Sequence, residues 1–257
     1  MIKKILYIIG FFLLLAYLSV VVYFALRHRP SGKCSGVDVE MISKSGQIAF
    51  MTRDDVRKEL ELMKFDLPGK ELGTINIYEV EENLRKNPLF SNTQVYLSPV
   101  SKSLVLQIEQ KSPMFIVQAG DSVYYISTDR GIIPCNPRYA VEVPLVTGHV
   151  ERDYALGAVY DLIKIIKNDS YWQNFFTQVY VRKDGNIILT PRLGTMQIIM
   201  GTTPKWRTKL HNLRAFCDEV IPRVGWEAYK SLNLEFNGQV IAKSVDGSPA
   251  HIGSPKE

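Results

Sequence analysis

The side chains able to carry out acid–base or nucleophilic chemistry are few in this chain and widely separated in its sequence. They comprise four histidines and three cysteines: His28, His149, His211, His251, Cys34, Cys135 and Cys217. The chain contains no phosphate-binding loop, no zinc-protease motif and no serine-hydrolase motif, and its cysteines and histidines lack zinc-ligand spacing. The sequence therefore predicts no catalytic residue, no cofactor and no metal site.

One arrangement of these residues could still form the active site of a hydrolase. His149 would act as a base oriented by Asp153, with Cys135 or a serine as the nucleophile. Pairs of this kind arise by chance in most chains of this length, so the sequence favours a protein without enzymatic activity. The odd number of cysteines argues against a disulfide framework, and we expect three buried thiols, although a single bridge is compatible with the sequence.

Charge and composition argue against a nucleic-acid-binding tail. The net charge of +5 is spread along the 257 residues and is not concentrated in runs of like charge. Outside one apolar stretch, the composition is that of an ordinary globular protein with room for one large domain or two small ones. We therefore expect neither a nucleic-acid partner nor a small-molecule substrate.

Residues 5–26 carry no charged side chain. A helix of this length spans about 33 Å, which is enough to cross the hydrocarbon core of a bilayer. A cleaved signal peptide is the alternative, but its apolar region would be shorter and would end at a small-residue cleavage site, whereas here arginine follows. We expect an uncleaved transmembrane helix after a tail of residues 1–4. Basic residues flank both ends, so the charges do not fix its orientation.

A compact domain with the order β-α-α-β-β is predicted over residues 37–111, after a linker over residues 27–36. Its strands are runs in which apolar and polar residues alternate. Its helices begin at capping residues. Thr52 is placed to cap the first helix, with Asp55 three residues later, and Asn76 is placed to cap the second.

A strand-rich domain is predicted over residues 112–243, and residues 244–257 are expected to be a disordered tail. Turn residues, such as the Asp-Gly pair at 184–185, join apolar runs and predict hairpins. Two helices interrupt the strands; Asp153 is placed to cap the first, and the second extends over residues 204–220. The fold class is therefore α+β, with a mostly antiparallel β domain and flanking helices after a transmembrane helix and a βααββ module.

The second of these helices has one apolar face and one basic face. The basic face contains Lys205, Arg207, Lys209 and Arg214. Such a face could meet anionic lipid head groups or acidic side chains of a partner. A solvated polar surface is the simpler interpretation, and the sequence favours it.

The final structured segment is predicted over residues 231–243, where apolar residues alternate, and its last strand is predicted over residues 234–242. A strand near the end of a domain commonly forms the edge of a sheet, and sheet edges recruit partners by strand addition. The opposite interpretation, an edge protected within its own sheet, fits the pattern equally well.

The order of these parts resembles the FtsQ/DivIB family of bacterial cell-division proteins. The stretches that carry the resemblance are NPLF leading to VYLSP and SLVLQIEQKSP, VYYISTDRGIIP, PLVTG, KWRTKLHNLRAF and SLNLEFNGQVIAK. The family plan is a short tail, one anchor, a POTRA module, a β domain and a variable tail, and the resemblance covers residues 1–243. Two positions depart from it: Ser127 stands where the family often has an acidic residue, and Phe236 where it often has a tyrosine.

The resemblance implies a non-enzymatic divisome scaffold in the plasma (inner) membrane at the division septum. The N-terminus would be cytoplasmic, and the POTRA and β domains would lie outside the membrane. The last strand would bind FtsB/FtsL-like proteins by antiparallel pairing, with help from the basic helix. The residues expected to contact the partner are Leu234, Glu235, Phe236, Asn237, Gly238, Gln239, Val240, Ile241, Ala242, Lys205, Lys209 and Arg214.

Two other functions stay open on the sequence. A single-span POTRA adaptor for envelope protein assembly or secretion would share the anchor and the module, although POTRA modules in such systems usually occur in tandem or before a barrel. A membrane-anchored hydrolase would use Cys135 or a serine.

Overall fold

The structure is a computed structural model that describes residues 2–27, 32–42, 51–63, 67–136, 141–236, 238–245 and 249–252. Parts of the predicted linker and of the predicted tail lie outside these residues. The chain forms two compact units. The first unit comprises residues 1–42, 52–87 and 92–109, and the second comprises residues 43–51, 88–91 and 110–257.

The apolar stretch forms a single helix, α1 (Ile2–Arg27). Its central part, from Tyr7 to Phe24, has a mean hydropathy of 2.3, and none of it is buried against the rest of the protein. The Ser19 hydroxyl donates a hydrogen bond of 2.8 Å to the Leu15 carbonyl, so this polar group is satisfied within the helix. Helix α1 is thus long and apolar enough to cross a membrane.

The first unit contains a three-stranded sheet and two helices in the predicted order β-α-α-β-β. Its elements are β1 (Val37–Ile42), α2 (Arg53–Leu62), a 3₁₀ turn (Leu72–Thr74), α3 (Ile77–Arg85), β2 (Phe90–Ser98) and β3 (Ser103–Gln110). The sheet order is β1-β3-β2, and β1 runs parallel to β3. Strand β3 therefore lies in the middle of the sheet, with β1 on one side and β2 on the other.

Both predicted helix caps of this unit are confirmed. The Thr52 hydroxyl accepts a hydrogen bond from the Asp55 amide, and the Asp55 carboxylate accepts one from the Thr52 amide at 2.9 Å. The Asn76 side chain accepts a hydrogen bond from the Glu79 amide at 3.3 Å. These side chains satisfy backbone donors that a helix start leaves without an intrahelical partner.

The second unit contains a ten-stranded sheet among the described residues, in the order β13-β12-β11-β10-β9-β8-β7-β4-β5-β6. The strands are β4 (Pro113–Ala119), β5 (Ser122–Ser127), β6 (Ile132–Pro134), β7 (Leu145–Gly148), β8 (Phe176–Val181), β9 (Ile187–Pro191), β10 (Gln197–Gly201), β11 (Tyr229–Asn233), β12 (Val240–Ser244) and β13 (Pro249–Ile252). Strand β7 is parallel to both β4 and β8, and β10 is parallel to β11; the other pairs are antiparallel.

Helices of the second unit share one hydrophobic core with this sheet. They are α4 (Arg152–Tyr154), a π-helical segment (Ala155–Val159), α5 (Tyr160–Lys167), α6 (Trp206–Glu219), α7 (Ile221–Val224) and a 3₁₀ turn (Trp226–Ala228). The predicted cap at Asp153 is wrong. Glu151 precedes the first helical residue and caps it without a side-chain hydrogen bond, which places Asp153 inside the first turn.

Turns between the strands follow the predicted chemistry. Gly185 has a φ of +79° in the turn between β8 and β9, a conformation that residues with a Cβ avoid. Ser127, one of the two departures from the family pattern, is buried, and its hydroxyl contacts the Asp129 carboxylate and the Gly131 carbonyl. The serine hydroxyl therefore stabilises the turn between β5 and β6 by bonding residues on its other side.

The prediction of three buried thiols is wrong in one case. Cys34 and Cys217 are buried, but Cys135 is exposed, and all three are free. Cys135 follows β6, which among the described strands has a neighbour in the sheet on only one side. A short strand at the edge of a sheet leaves the residue after it open to solvent.

Candidate functional site

The final predicted segment is in fact two strands joined by a loop. Strands β11 and β12 pair antiparallel, with Leu232 opposite Ala242. The prediction of one strand over residues 234–242 is therefore wrong, because β12 begins only at Val240. Gly238 has a φ of +69°, which reverses the chain. The Asn-Gly pair at 237–238 is the sequence signal for this turn, and we overlooked it there.

The residues expected to bind a partner strand consequently have three different environments. Leu234, Val240 and Ala242 are buried, with Leu234 only 1% exposed. The exposed positions are Glu235, Phe236, Gly238 and Gln239, and Ile241 is half-buried. Asn237 lies outside the described residues. Only Val240, Ile241 and Ala242 belong to a strand.

The loop between β11 and β12 is fixed against the end of β10. The Leu234 amide donates a hydrogen bond of 2.8 Å to the Ile199 carbonyl, and the Glu235 amide donates one of 2.9 Å to the Asn233 side chain. Gly201 has a φ of +72°, and a Cβ there would lie 2.9 Å from Glu235 Cγ. The loop approaches β10 so closely that only glycine fits at this position without strain.

The exposed Phe236 is the most prominent apolar side chain of this loop. Its exposed fraction is 52%, although it follows the buried Leu234 by only two residues. The amides of Leu234 and Glu235, which precede it, are both hydrogen-bonded, so the backbone leading to this ring is held in place in the loop between β11 and β12. An exposed aromatic side chain next to a strand is a typical contact residue at a protein interface.

Lys209 does not lie on an exposed basic face, and this part of the prediction is wrong. The residue is 4% exposed, and its ammonium group donates hydrogen bonds to the carbonyls of Met200 and Thr203, the latter at 2.9 Å. Burial lowers the Lys209 pKa, the nearby Lys205 lowers it further, and Glu235 opposes the shift. The long side chain of Lys209 thus joins α6 to the end of β10 and is not available to a partner.

Lys205 and Arg214 are exposed, but they do not form one patch. Lys205 precedes the first residue of α6, whereas Arg214 lies nine residues later, about 13 Å along the axis and on the opposite side of the helix. The Arg214 side chain lies 3.6 Å from the Asp218 carboxylate and 4.5 Å from the centre of the Tyr171 ring. The predicted group of three partner-binding cations is therefore dispersed.

A cluster around Tyr171 joins α6 to the segment that follows α5. The Tyr171 hydroxyl lies 3.1 Å from an Asp218 carboxylate oxygen, and its ring is 4.5 Å from that of Trp172. Burial, the neighbouring Cys217 and the hydrogen bond with Asp218 raise the pKa of Tyr171 to about 12. Burial and Asp218 likewise raise the pKa of the Cys217 thiol to about 12, so both groups are neutral at physiological pH.

Strand β12 has neighbours on both of its sides. Strand β13 pairs antiparallel with it, and Val240 stands opposite Ile252 and Lys243 opposite Pro249. Ser244 and residues 249–252, which fall in the predicted disordered tail, thus lie in strands. The last described strand, and not β12, forms this edge of the sheet.

Cys135 and His149, which could be drawn as the nucleophile and base of a hydrolase, are not brought together. Cys135 follows β6 and His149 follows β7, with β4 and β5 between the two strands. Three strand spacings amount to about 14 Å, which is far beyond hydrogen-bonding distance. Within the described residues, no group of three or more potential metal ligands occurs.

Comparison with known proteins finds two matching family models, one for each of the two predicted domains. A family model described as FtsQ/DivIB, C-terminal related, matches residues 112–243, and a POTRA-like domain model matches residues 32–109. No curated protein matches the chain. Together with these matches, the apolar helix α1 indicates a single-pass membrane protein. Because the first match covers 132 of the 257 residues, the chain belongs to the FtsQ/DivIB family and is a division-related POTRA protein.

Proposed function

We propose that this protein is a non-enzymatic, membrane-anchored scaffold of the bacterial divisome, and that it binds FtsB/FtsL-like partners by strand addition at β12. The observation that carries the proposal is the end of the ten-stranded sheet, where, among the described residues, only the four-residue strand β13 covers the outer side of β12. The backbone groups on the outer side of β12 are a template for a partner strand once β13 has left them.

The backbone of β12 would supply affinity, and its neighbouring side chains would supply selectivity. Val240 and Ala242 are buried on the helix-covered side of the sheet, so they fix β12 in place. Ile241 is half-buried on the opposite side, and Phe236 is exposed beside the strand. A partner strand on β12 would contact both of these apolar side chains.

The exposed cations would make a smaller contribution. Lys205 and Arg214 could each meet an acidic side chain of the partner, in two separate places. Arg214 would first have to leave Asp218, but an exposed ion pair at 3.6 Å is worth at most about 1 kcal/mol. Replacing this ion pair by one with a partner therefore costs little free energy.

The membrane arrangement follows from the same proposal. Helix α1 would cross the plasma membrane with its N-terminus in the cytoplasm, and both domains would lie outside at the septum. Confining the β domain to a membrane that also holds its partners raises their effective concentration without any further contact.

Strand addition is tested with Val240→Pro in the full chain, purified in detergent with the extra-cytoplasmic segment of an FtsB-like protein. The Leu234 amide faces β10, so the backbone groups of Asn233 face β12 and those of Ile241, opposite Asn233, face β11. The Val240 N–H therefore faces away from β11, and proline there removes a donor from the outer side of β12 while the β11–β12 pairing stays intact. We expect capture of the partner to fall at least ten-fold.

Val240→Ala is the matched control, because it shortens the same side chain but keeps the backbone donor. We expect this variant to retain capture within about three-fold. Unchanged capture by Val240→Pro, with the alanine variant also unchanged, would sink strand addition at β12. Equal losses in the two variants would assign the effect to the side chain instead.

The POTRA-like match is also compatible with one other function, that of an adaptor for envelope protein assembly or secretion. The two functions differ in where the protein resides. A fluorescent fusion followed through division should concentrate at midcell if the protein is a divisome scaffold. An even distribution around the envelope would favour the adaptor.

A further inference from the structure

The strand at which a partner would be added is already paired on its outer side in the free chain. Strand β13 covers β12 over four residue pairs, from Val240 opposite Ile252 to Lys243 opposite Pro249. The two strands run antiparallel and are joined by a short connection, residues 245–248. This segment of the chain thus has the position and direction that an antiparallel partner strand would take.

The two occupants exclude each other for a geometric reason. A strand in a sheet offers one row of backbone groups to each side. Strand β11 uses one row of β12, with Asn233 opposite Ile241, and β13 uses the other, with His251 opposite Ile241. No third row is left, so a partner strand can bind β12 only after β13 has left it.

Strand β13 has the features of a replaceable occupant. It is four residues long, shorter than the five or six residues of a typical strand. It begins with Pro249, which has no backbone N–H to donate and which is tolerated at the first position of an edge strand. A partner that pairs along the five residues of β12 would form a longer ladder than β13 does.

We propose that residues 249–252 are an intramolecular placeholder for the partner strand, so that the partner binds by displacing β13 from β12. The partner this surface fits is an extended segment that pairs antiparallel with residues 240–244. The inference rests on the proposed function. If β13 is paired in about 90% of molecules, the apparent dissociation constant of the partner is about ten-fold above its value for the open edge.

The experiment compares the full chain in detergent with two variants that remove the placeholder. One ends after Val245, and the other is the double substitution Ala250→Pro/His251→Pro. Successive N–H groups of a strand point to opposite sides, so one of the two prolines always removes a donor that faces β12. Ala250→Val/His251→Val is the matched control, because it keeps both donors and raises strand propensity.

Two quantities are measured for each protein: hydrogen exchange of the β12 amides, and affinity for the extra-cytoplasmic segment of an FtsB-like protein. Both placeholder-removing variants should speed the exchange of those β12 amides that face away from β11 by about ten-fold, in line with the occupancy of about 90%. They should also bind the partner segment about five- to ten-fold more tightly. The valine control should shift both quantities in the opposite direction or leave them unchanged.

Four results would overturn the inference, and they differ in what else they affect. Unchanged exchange in β12 would mean that β13 does not protect it. Faster exchange with equal partner affinity would reject displacement but keep the proposed function, and loss of binding on truncation would place the partner on β13 itself. Absence of binding to every variant would reject the proposed function and the placeholder together.

Discussion

At the scale of single residues, the buried Lys209 has the strongest influence on the arrangement of the candidate site. Its ammonium group bonds two backbone carbonyls at the end of β10, next to the loop that carries Phe236. A buried cation costs desolvation, but removing it leaves two carbonyls without their donor, and the second effect should dominate because both carbonyls are fixed by the backbone. We expect Lys209→Met to lower the free energy of unfolding by about 1–3 kcal/mol.

Lys205→Met is the control for this prediction, since Lys205 is exposed at the start of the same helix. Its effect should stay within about 0.5 kcal/mol. Urea unfolding of the two variants, followed by tryptophan fluorescence, measures the difference. Equal stabilities would mean that the hydrogen bonds of Lys209 make no net contribution.

The three thiols lead to a second prediction at this scale. Cys135 is exposed, whereas Cys34 and Cys217 are buried, and burial together with Asp218 raises the Cys217 pKa to about 12. Since the thiolate is the reactive form, a maleimide at pH 7 should label one thiol of the native protein rapidly and all three after denaturation. The variant Cys135→Ser should lose the rapid phase. Rapid native labelling that persists in this variant would contradict the described burial.

At the scale of secondary-structure elements, the close approach of the β11–β12 loop to β10 can be measured with two glycine substitutions. Gly201 and Gly185 both have positive φ, so alanine should cost each about 1–2 kcal/mol from backbone strain alone. A Cβ at Gly201 would also lie 2.9 Å from Glu235 Cγ, whereas at Gly185 the nearest atom is 3.8 Å away.

We therefore expect Gly201→Ala to be more destabilising than Gly185→Ala by at least about 1 kcal/mol, because overpacking adds to strain. Thermal unfolding of the two variants gives this difference directly. If the two substitutions were equally destabilising, the loop would have to move away from β10 at little cost. In that case Phe236 would not be held in a fixed position beside β12.

At the scale of the whole molecule, the anchor and the binding surface have separable roles. Helix α1 carries no buried residue over its central part, and the proposed contacts all lie in the β domain. If the helix serves only to hold the domains at the membrane, a foreign transmembrane helix of the same length and orientation should support division as well as α1 does. Complementation of a depletion strain measures this, with a chimera of known membrane insertion. Failure of such a chimera would assign specific contacts to α1.

Much of the fold was predictable because its signals are local. The absence of charge in residues 5–26 predicts the long apolar helix, and Thr52 and Asn76 predict helix starts, because a cap needs only residues three positions apart. Alternating apolar residues predict strands, and the Asp-Gly pair at 184–185 predicts its turn. The same kind of signal at 237–238 was present in the sequence and was missed.

The environment of the candidate site depends on contacts between residues distant in sequence. Lys209 belongs to a basic helical face by spacing, and only the position of β10 beside α6 makes it a buried donor to two carbonyls. Similarly, the sequence allowed both an open and a protected edge at the last strand. The order of strands in the sheet decides between them, since β13 pairs with β12. The sequence by itself determined the apolar helix, the β-α-α-β-β order of the first module and the resemblance to the family, because these depend on local patterns. The tertiary structure decided which side of each strand is already paired, because that depends on contacts between distant residues.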